Sequence, residues 1–186
     1  FENRVAIITG AGAPEGIGAA VARQFVDEGA RVVLGATSER IHDRASELGD
    51  AAVGVIADLT VEGSAELLVQ TAVQRWGRLD IVVNNAGVSH KNRPMLEVDE
   101  AEFDRVYATN VKSIYLSAKH CVPVFRSQGG GCFVQIASTA GVRPRPGLTW
   151  YNGSKGAVIL TSKSMAVELA KDNIRVNCIN PVAGET

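Results

Sequence analysis

The chain predicts a doubly wound α/β sandwich, a parallel sheet with helices on both faces. Two observations carry this. Short apolar, β-branched runs alternate with segments of helical period along the whole length, and those runs are apolar continuously rather than at every second residue. A continuously apolar strand is buried on both faces, and strict alternation with helices means parallel strands joined by crossovers. Ligands in such sheets bind outside the carboxyl ends of the strands, where strand order reverses, so chemistry is sought at those ends.

The first strand, RVAIIT at 4–9, runs directly into TGAGAPEGIGAAVARQF, which opens a helix expected over 16–28. Gly10, Gly12, Gly16 and Gly18 let the backbone turn tightly and approach a pyrophosphate, while the helix N-terminus offers unpaired N–H groups and a positive dipole end. A plain strand-to-helix turn would carry similar glycines; the order strand, loop, helix is what favours a dinucleotide. The second strand, RVVLGA at 31–36, ends at Ala36, where an NAD-binding fold commonly places a carboxylate for the adenosine ribose. With no acid there, Thr37, Ser38 and Arg40 are free to take a 2′-phosphate, which favours NADP(H) over NAD(H). Glu15 in the phosphate loop argues the other way if it points inward.

A helix is expected over 38–48, then the strand AAVGVIA at 51–57, which presents Asp58 and Leu59 at its end. Asp58 either accepts from an adenine amino group or caps the next helix, expected over 61–76. The fourth strand, LDIVVNN at 79–85, closes in NNAG, so that Asn84, Asn85, Ala86 and Gly87 form either a turn or a backbone surface for a ligand. One long helix over 99–127 follows. The fifth strand, GCFVQIA at 131–137, ends at Ser138, and a Gly/Pro-rich loop leads to a helix over 151–171. The sixth strand, IRVNCI at 174–179, gives way to NPVAGET.

With 186 residues, 46% of them hydrophobic and 21% charged, one domain spanning 1–186 is expected. A net charge of -1 argues against nucleic acid or an anionic membrane as the main partner and leaves a small molecule. Cys121, Cys132 and Cys178 lie far apart with no metal spacing, and His42, His90 and His120 are isolated, so no metal site is expected. No targeting or membrane-spanning run is read, and the expected location is cytoplasmic.

A tyrosine followed four residues later by a lysine occurs twice, as Tyr115 with Lys119 and as Tyr151 with Lys155. Only the second pair follows a strand-end hydroxyl, Ser138, across a loop able to fold back. Residues i and i+4 share a helix face. Reducing a ketone with a hydride leaves an alkoxide that needs a proton, and the reverse reaction needs a base. A tyrosine must drop about three units from its usual pKa near 10 to serve near neutrality, about 4 kcal/mol, which a nearby ammonium can supply at ~4 Å and an effective dielectric of ~20. Ser138 would then hold the substrate oxygen as an oxyanion donor does. Trp150, His90, Arg143 and Arg145 are candidates for the substrate wall, or simply surface and packing residues.

TGAGAPEGIG, NNAG, Asn110 in YATNVKS, Ser138 and YNGSK stand in the order found in the classical short-chain dehydrogenase/reductase family, which the sequence resembles over essentially all 186 residues. Its 3-oxoacyl-carrier-protein reductases are the subgroup it is most similar to. The resemblance implies a Rossmann-type three-layer fold and an NAD(P)(H)-dependent oxidoreductase acting on a carbonyl or secondary alcohol. Tyr151 would be the general acid/base, Lys155 would lower its pKa and bind the nicotinamide ribose, Ser138 would orient the carbonyl, and Asn110 would anchor a relay water. Cofactor contacts are expected from Gly10, Gly12, Gly16, Ile17, Gly18, Thr37, Asp58, Leu59, Asn85, Ala86, Gly87, Tyr151, Lys155, Pro181 and Val182. The family pattern also implies a homodimer or homotetramer built on the helices at 99–127 and 151–171. Three departures stand out: five residues separate Gly10 from Gly16 instead of three, Val182 replaces the usual glycine after Pro181, and the family's substrate lid and last strand are expected to be lacking. Two other readings remain: an NAD-dependent dehydrogenase of a sugar, polyol, steroid or cyclic alcohol, and a non-catalytic cofactor sensor.

Overall fold

The computed structural model describes residues 1–182 and builds one six-stranded sheet in the order β3-β2-β1-β4-β5-β6, every neighbouring pair parallel. The strands are β1 (Val5–Thr9), β2 (Arg31–Ala36), β3 (Ala52–Ile56), β4 (Ile81–Asn84), β5 (Gly131–Ile136) and β6 (Ile174–Ile179). The helices are α1 (Ile17–Asp27), α2 (Arg40–Ser46), α3 (Glu62–Trp76), α4 (Glu100–Tyr107), α5 (Ser113–Gln128) and α6 (Thr149–Leu169). Order reverses between β1 and β4, which makes their carboxyl ends the crevice that a doubly wound sheet offers to ligands.

Alternation along β1 shows why the strands had to be apolar throughout. Val5 and Ile7 join one core with Leu68, Val69, Phe125, Phe133 and Leu169, under α3, α5 and α6. Ala6 and Ile8 join another with Ala22, Leu34, Ile41 and Ala45, under α1 and α2. Successive side chains point to opposite faces, so both faces of β1 are covered and no polar alternation survives.

The single helix expected over 99–127 is in fact two. A π-helical turn at Ala108–Lys112 separates α4 from α5. Such turns carry one extra residue per turn and cluster at functional sites; this one holds the buried Asn110. Capping follows the sequence better: Asp99 accepts from the Glu102 N–H at 2.7 Å and starts α4. The helix over 38–48 shortens to α2, with a 3-10 turn at Gly49–Ala51 after it.

Candidate active site

Two adjoining clefts open at the carboxyl edge of the sheet and share Gly87 and Val88. The larger, about 640 Å³, runs over the ends of β1, β2 and β3 and is lined by Gly10, Gly12, Ala36, Thr37, Arg40, Asp58, Leu59, Ala86 and Gly87, among others. Gly10 turns the chain at φ +68°, and a Cβ there would stand 2.8 Å from the Ala86 Cα. Only glycine lets β1 leave its strand that close to β4. Thr9 and Asn85 fasten the same crossing: the Asn85 and Ala86 N–H groups donate to Thr9 Oγ1 at 3.0 and 3.1 Å, and Asn85 Nδ2 donates to the Thr9 carbonyl at 2.9 Å. The bare backbone beyond leads to Gly16, which opens α1 with no side-chain cap. Unpaired N–H groups at a helix start are what a pyrophosphate needs, so the loop fits a dinucleotide despite its extra length.

Asp58 resolves toward the turn. Its Oδ1 accepts from both the N–H and the hydroxyl of Thr60, at 2.9 and 2.8 Å, and these bonds hold its carboxyl below the usual range. The second oxygen stays available at the cleft wall. Glu15 is exposed and does not line the cleft, so its predicted objection to a 2′-phosphate falls away.

The smaller cleft, about 290 Å³, is lined by Ile17, Asn85, Gly87, Ser138, Arg145, Tyr151, Lys155, Pro181 and Val182, among others. Ser138 starts a 3-10 turn, and its Oγ accepts from the Ala140 N–H at 3.1 Å. An accepting hydroxyl keeps its own proton free to donate into the cleft. Lys155 is buried; its Nζ donates to the Ile136 carbonyl at 2.9 Å and lies 5.9 Å from the centroid of the Tyr151 ring. Burial lowers its pKa to about 8. The first turns of α6 are fixed around Tyr151: Trp150 donates to the Met95 carbonyl at 3.1 Å, and Asn152 Nδ2 to the Arg145 carbonyl at 2.9 Å.

Asn110 is buried beside this cleft rather than in its wall. Its Oδ1 accepts from the Val88 N–H at 2.8 Å, and its Nδ2 donates to the Val88 carbonyl and to Ser154 Oγ, both at 2.9 Å. Both amide protons are thus committed to the protein.

A family model for short chain dehydrogenases matches residues 4–186. The chain belongs to the short-chain dehydrogenase family. It is 46% identical over 190 residues to a 4-formylbenzenesulfonate dehydrogenase of Comamonas testosteroni, covering all of this chain and 75% of that protein. Among solved structures it resembles a 3-ketoacyl-(acyl-carrier-protein) reductase of Brucella melitensis complexed with NADH, at TM-score 0.96 and 41% identity, over 99% of this chain and 77% of that one. A xylitol dehydrogenase bound to NAD+ superposes at TM-score 0.94 with 31% identity, over 100% of this chain and 73% of that one. Like its relatives, the short-chain dehydrogenase described here has a Rossmann-type sheet and is an NAD(P)-dependent oxidoreductase acting on a CH–OH/C=O pair.

Its predicted site residues separate into four groups. Gly10, Gly12, Thr37, Asp58, Leu59 and Ala86 line the larger cleft; Ile17, Asn85, Ser138, Tyr151, Lys155, Pro181 and Val182 line the smaller; Gly87 lines both. Gly16, Gly18 and Asn110 line neither. Gly18 packs behind the loop, where a Cβ would stand 2.7 Å from Asn85 Nδ2. Of the four substrate-wall candidates only Arg145 lines the smaller cleft. Sequence reasoning missed Asp104, Arg105, Ala108 and Thr109, which wall the larger cleft from α4 and the π turn. Their spacing just ahead of Asn110 was the available signal. No group of three or more His, Cys, Asp or Glu side chains suited to a metal occurs among the described residues.

Proposed function

We propose that Tyr151 is the general acid/base of a carbonyl reduction and its reverse alcohol oxidation, with Ser138 and Lys155 as its partners. What supports this is one convergence: Ser138 from the end of β5 and Tyr151 and Lys155 from the start of α6 line a single cleft beside the glycine loop. The nicotinamide dinucleotide supplies or accepts the hydride when bound. Ser138 donates its hydroxyl proton to the substrate oxygen, and Tyr151 delivers or removes the proton on that oxygen. Lys155, held by the Ile136 carbonyl, has two further donors for the tyrosine side and a ribose. Asn110 keeps the loop carrying Gly87 and Val88 in register with them, and the remaining lone pair of its Oδ1 is the side-chain capacity left for a relay water. The Gly10–Gly18 loop and Thr37 would hold the phosphates, Asp58 and Leu59 the adenine, and Asn85, Pro181 and Val182 the nicotinamide.

NADP(H) is our choice over NAD(H). Ala36 leaves the end of β2 without a carboxylate, Arg40 lines the cleft beside it, and Glu15 is exposed and does not line it. The likeness to the Brucella reductase supports a 3-oxoacyl thioester as substrate. A second copy of this chain, in a homodimer or homotetramer, would cover the apolar groove of about 480 Å³ between α5 and α6, where Tyr115, Val122 and Met165 stand. Free thiols at Cys121, Cys132 and Cys178 suit a reducing, cytoplasmic setting; among the described residues no helix is long and apolar enough to cross a membrane.

The test is Tyr151→Phe in the full-length protein with a panel of ketones and alcohols. Cofactor affinity should persist while kcat falls about 100- to 10,000-fold. A variant as active as the parent removes Tyr151 from the mechanism.

A further inference from the structure

The smaller cleft is cationic in a way that the reaction does not require. Among the described residues that line it, two, Arg145 and Lys155, are basic and none is Asp or Glu. Lys155 gives one donor to the Ile136 carbonyl, and the proposed reaction takes its other two. Two nearby arginines are occupied as well: Arg93 pairs with Glu102 at 3.2 Å, and Arg105 donates to the Ser89 carbonyl at 2.9 Å. The Arg145 guanidinium has no carboxylate or carbonyl partner among the described residues. Its main chain, by contrast, is pinned. The carbonyl of Arg145 accepts from Asn152 Nδ2 at 2.9 Å, that of Pro146 from Asn92 Nδ2 at 3.0 Å, and that of Gly147 from the Arg93 N–H at 3.0 Å. Three consecutive carbonyls fastened to two different segments make the loop a fixed platform. The backbone of Arg145 is thereby fixed at the wall of the reaction cleft, and its exposed side chain keeps its fork free.

We propose that Arg145 forms an anion subsite, and that the substrate is a carbonyl compound or alcohol carrying its own carboxylate or sulfonate at the end remote from the reacting carbon. The planar fork of arginine matches the oxygens of those groups in a paired geometry that an ammonium cannot reproduce. With no acid among the described residues of the wall, none of them competes for the guanidinium, and an anionic substrate meets no like charge from them on entry. This assignment rests on the smaller cleft being the reaction site. Within the acid/base reading it favours an anionic substrate over a 3-oxoacyl thioester, whose neutral acyl chain would leave Arg145 without a role.

The probes are 4-formylbenzoate, its neutral methyl ester, and terephthalate as an unreactive dianion, with full-length protein and cofactor. The expected result is that kcat/KM for 4-formylbenzoate exceeds that for the ester about 10- to 100-fold, and that Arg145→Gln erases this preference. Arg145→Lys should keep part of it, and Arg143→Gln, outside the cleft, should keep all of it. Terephthalate should bind the cofactor complex competitively with 4-formylbenzoate, and Arg145→Gln should weaken it by a similar factor. Calorimetry of terephthalate reads the subsite even if neither aldehyde turns over. Equal kcat/KM for acid and ester in the parent protein, unaltered preference in Arg145→Gln, or no terephthalate binding would each overturn the proposal. Tyr151→Phe separates the two assignments: it should stop turnover and leave terephthalate binding intact, so activity retained there faults the acid/base reading alone.

Discussion

Asn110 grips Val88 by both of its backbone groups, accepting from the N–H at 2.8 Å and donating to the carbonyl at 2.9 Å, as a neighbouring strand would. The side chain thereby continues the pairing of β4 past its last ladder bond and ties the loop between the two clefts to the π turn. Truncation in Asn110→Ala leaves the Val88 groups and Ser154 Oγ without these partners in a buried place. Unmade buried hydrogen bonds cost about 1–3 kcal/mol each, with partial relaxation giving about 3 kcal/mol in total. For a chain of this size that corresponds to a fall in Tm of about 6–12 °C. Thermal unfolding checks the loss of stability, and kcat of the folded fraction checks whether the loop also misplaces the site.

Lys155 predicts an unusual pH dependence of stability. Burial lowers its pKa to about 8, against the usual 10.5 for lysine in an unfolded chain. Between these two values the unfolded state holds a proton that the folded state has released, so stability rises with pH across that window. Below about 8 the buried charge costs the fold about 3 kcal/mol at 1.36 kcal/mol per unit. Lys155→Met removes this cost and one hydrogen bond worth about 1 kcal/mol, for a net gain of about 2 kcal/mol at pH 7. The cofactor-free variant should therefore melt several degrees above the parent at pH 7, lose that advantage near pH 10.5, and be inactive throughout. Paired melting curves across pH decide it; an equal difference at both ends would mean that the ammonium is not strained.

Cofactor choice turns on Ala36. A Cβ added at Gly12 would come within 3.0 Å of the Ala36 Cβ, so β2 ends against the phosphate loop, where an acid would meet the ribose. Ala36→Asp should weaken NADPH about 10- to 100-fold by like-charge contact with the 2′-phosphate and leave NADH as tight or tighter. Fluorescence titration with both cofactors reads the switch. NADH binding more tightly than NADPH to the parent protein would reverse the assignment made from Ala36, Ser38 and Arg40.

The strands, the doubly wound sheet and the placing of Ser138 at a strand end on the same cleft as Tyr151 were legible because each depends on where apolar runs stop. A residue at the carboxyl end of a buried parallel strand has its position fixed by topology. The π turn was not legible, since the apolar spacing from Val106 through Phe125 does not reveal a single hydrogen-bond ring closed one residue late. Asp58 and Glu15 were left open for a related reason: local sequence offers a carboxylate several partners, and only folded coordinates say which one it meets. Arg145 emerged from four candidates once the loop folded, because its placement depends on Asn92, Arg93 and Asn152, residues remote in sequence from one another or from the loop.

Tyr115 and Lys119 supply the internal control for the spacing argument. They repeat the Tyr-x-x-x-Lys interval of Tyr151 and Lys155 on α5, yet Tyr115 is 61% exposed and Lys119 pairs with Glu62 on α3. Neither lines a cleft at the sheet's carboxyl edge. A fully exposed ion pair is screened by solvent and contributes little, so Lys119→Ala should leave Tm nearly unchanged. Tyr115→Phe and Lys119→Ala should each keep kcat within about twofold of the parent, against a loss of at least about 100-fold in Tyr151→Phe. Steady-state rates of the three variants on one substrate make the comparison. A large loss in Tyr115→Phe would show that the interval alone, without the strand-end serine, had been given too little weight.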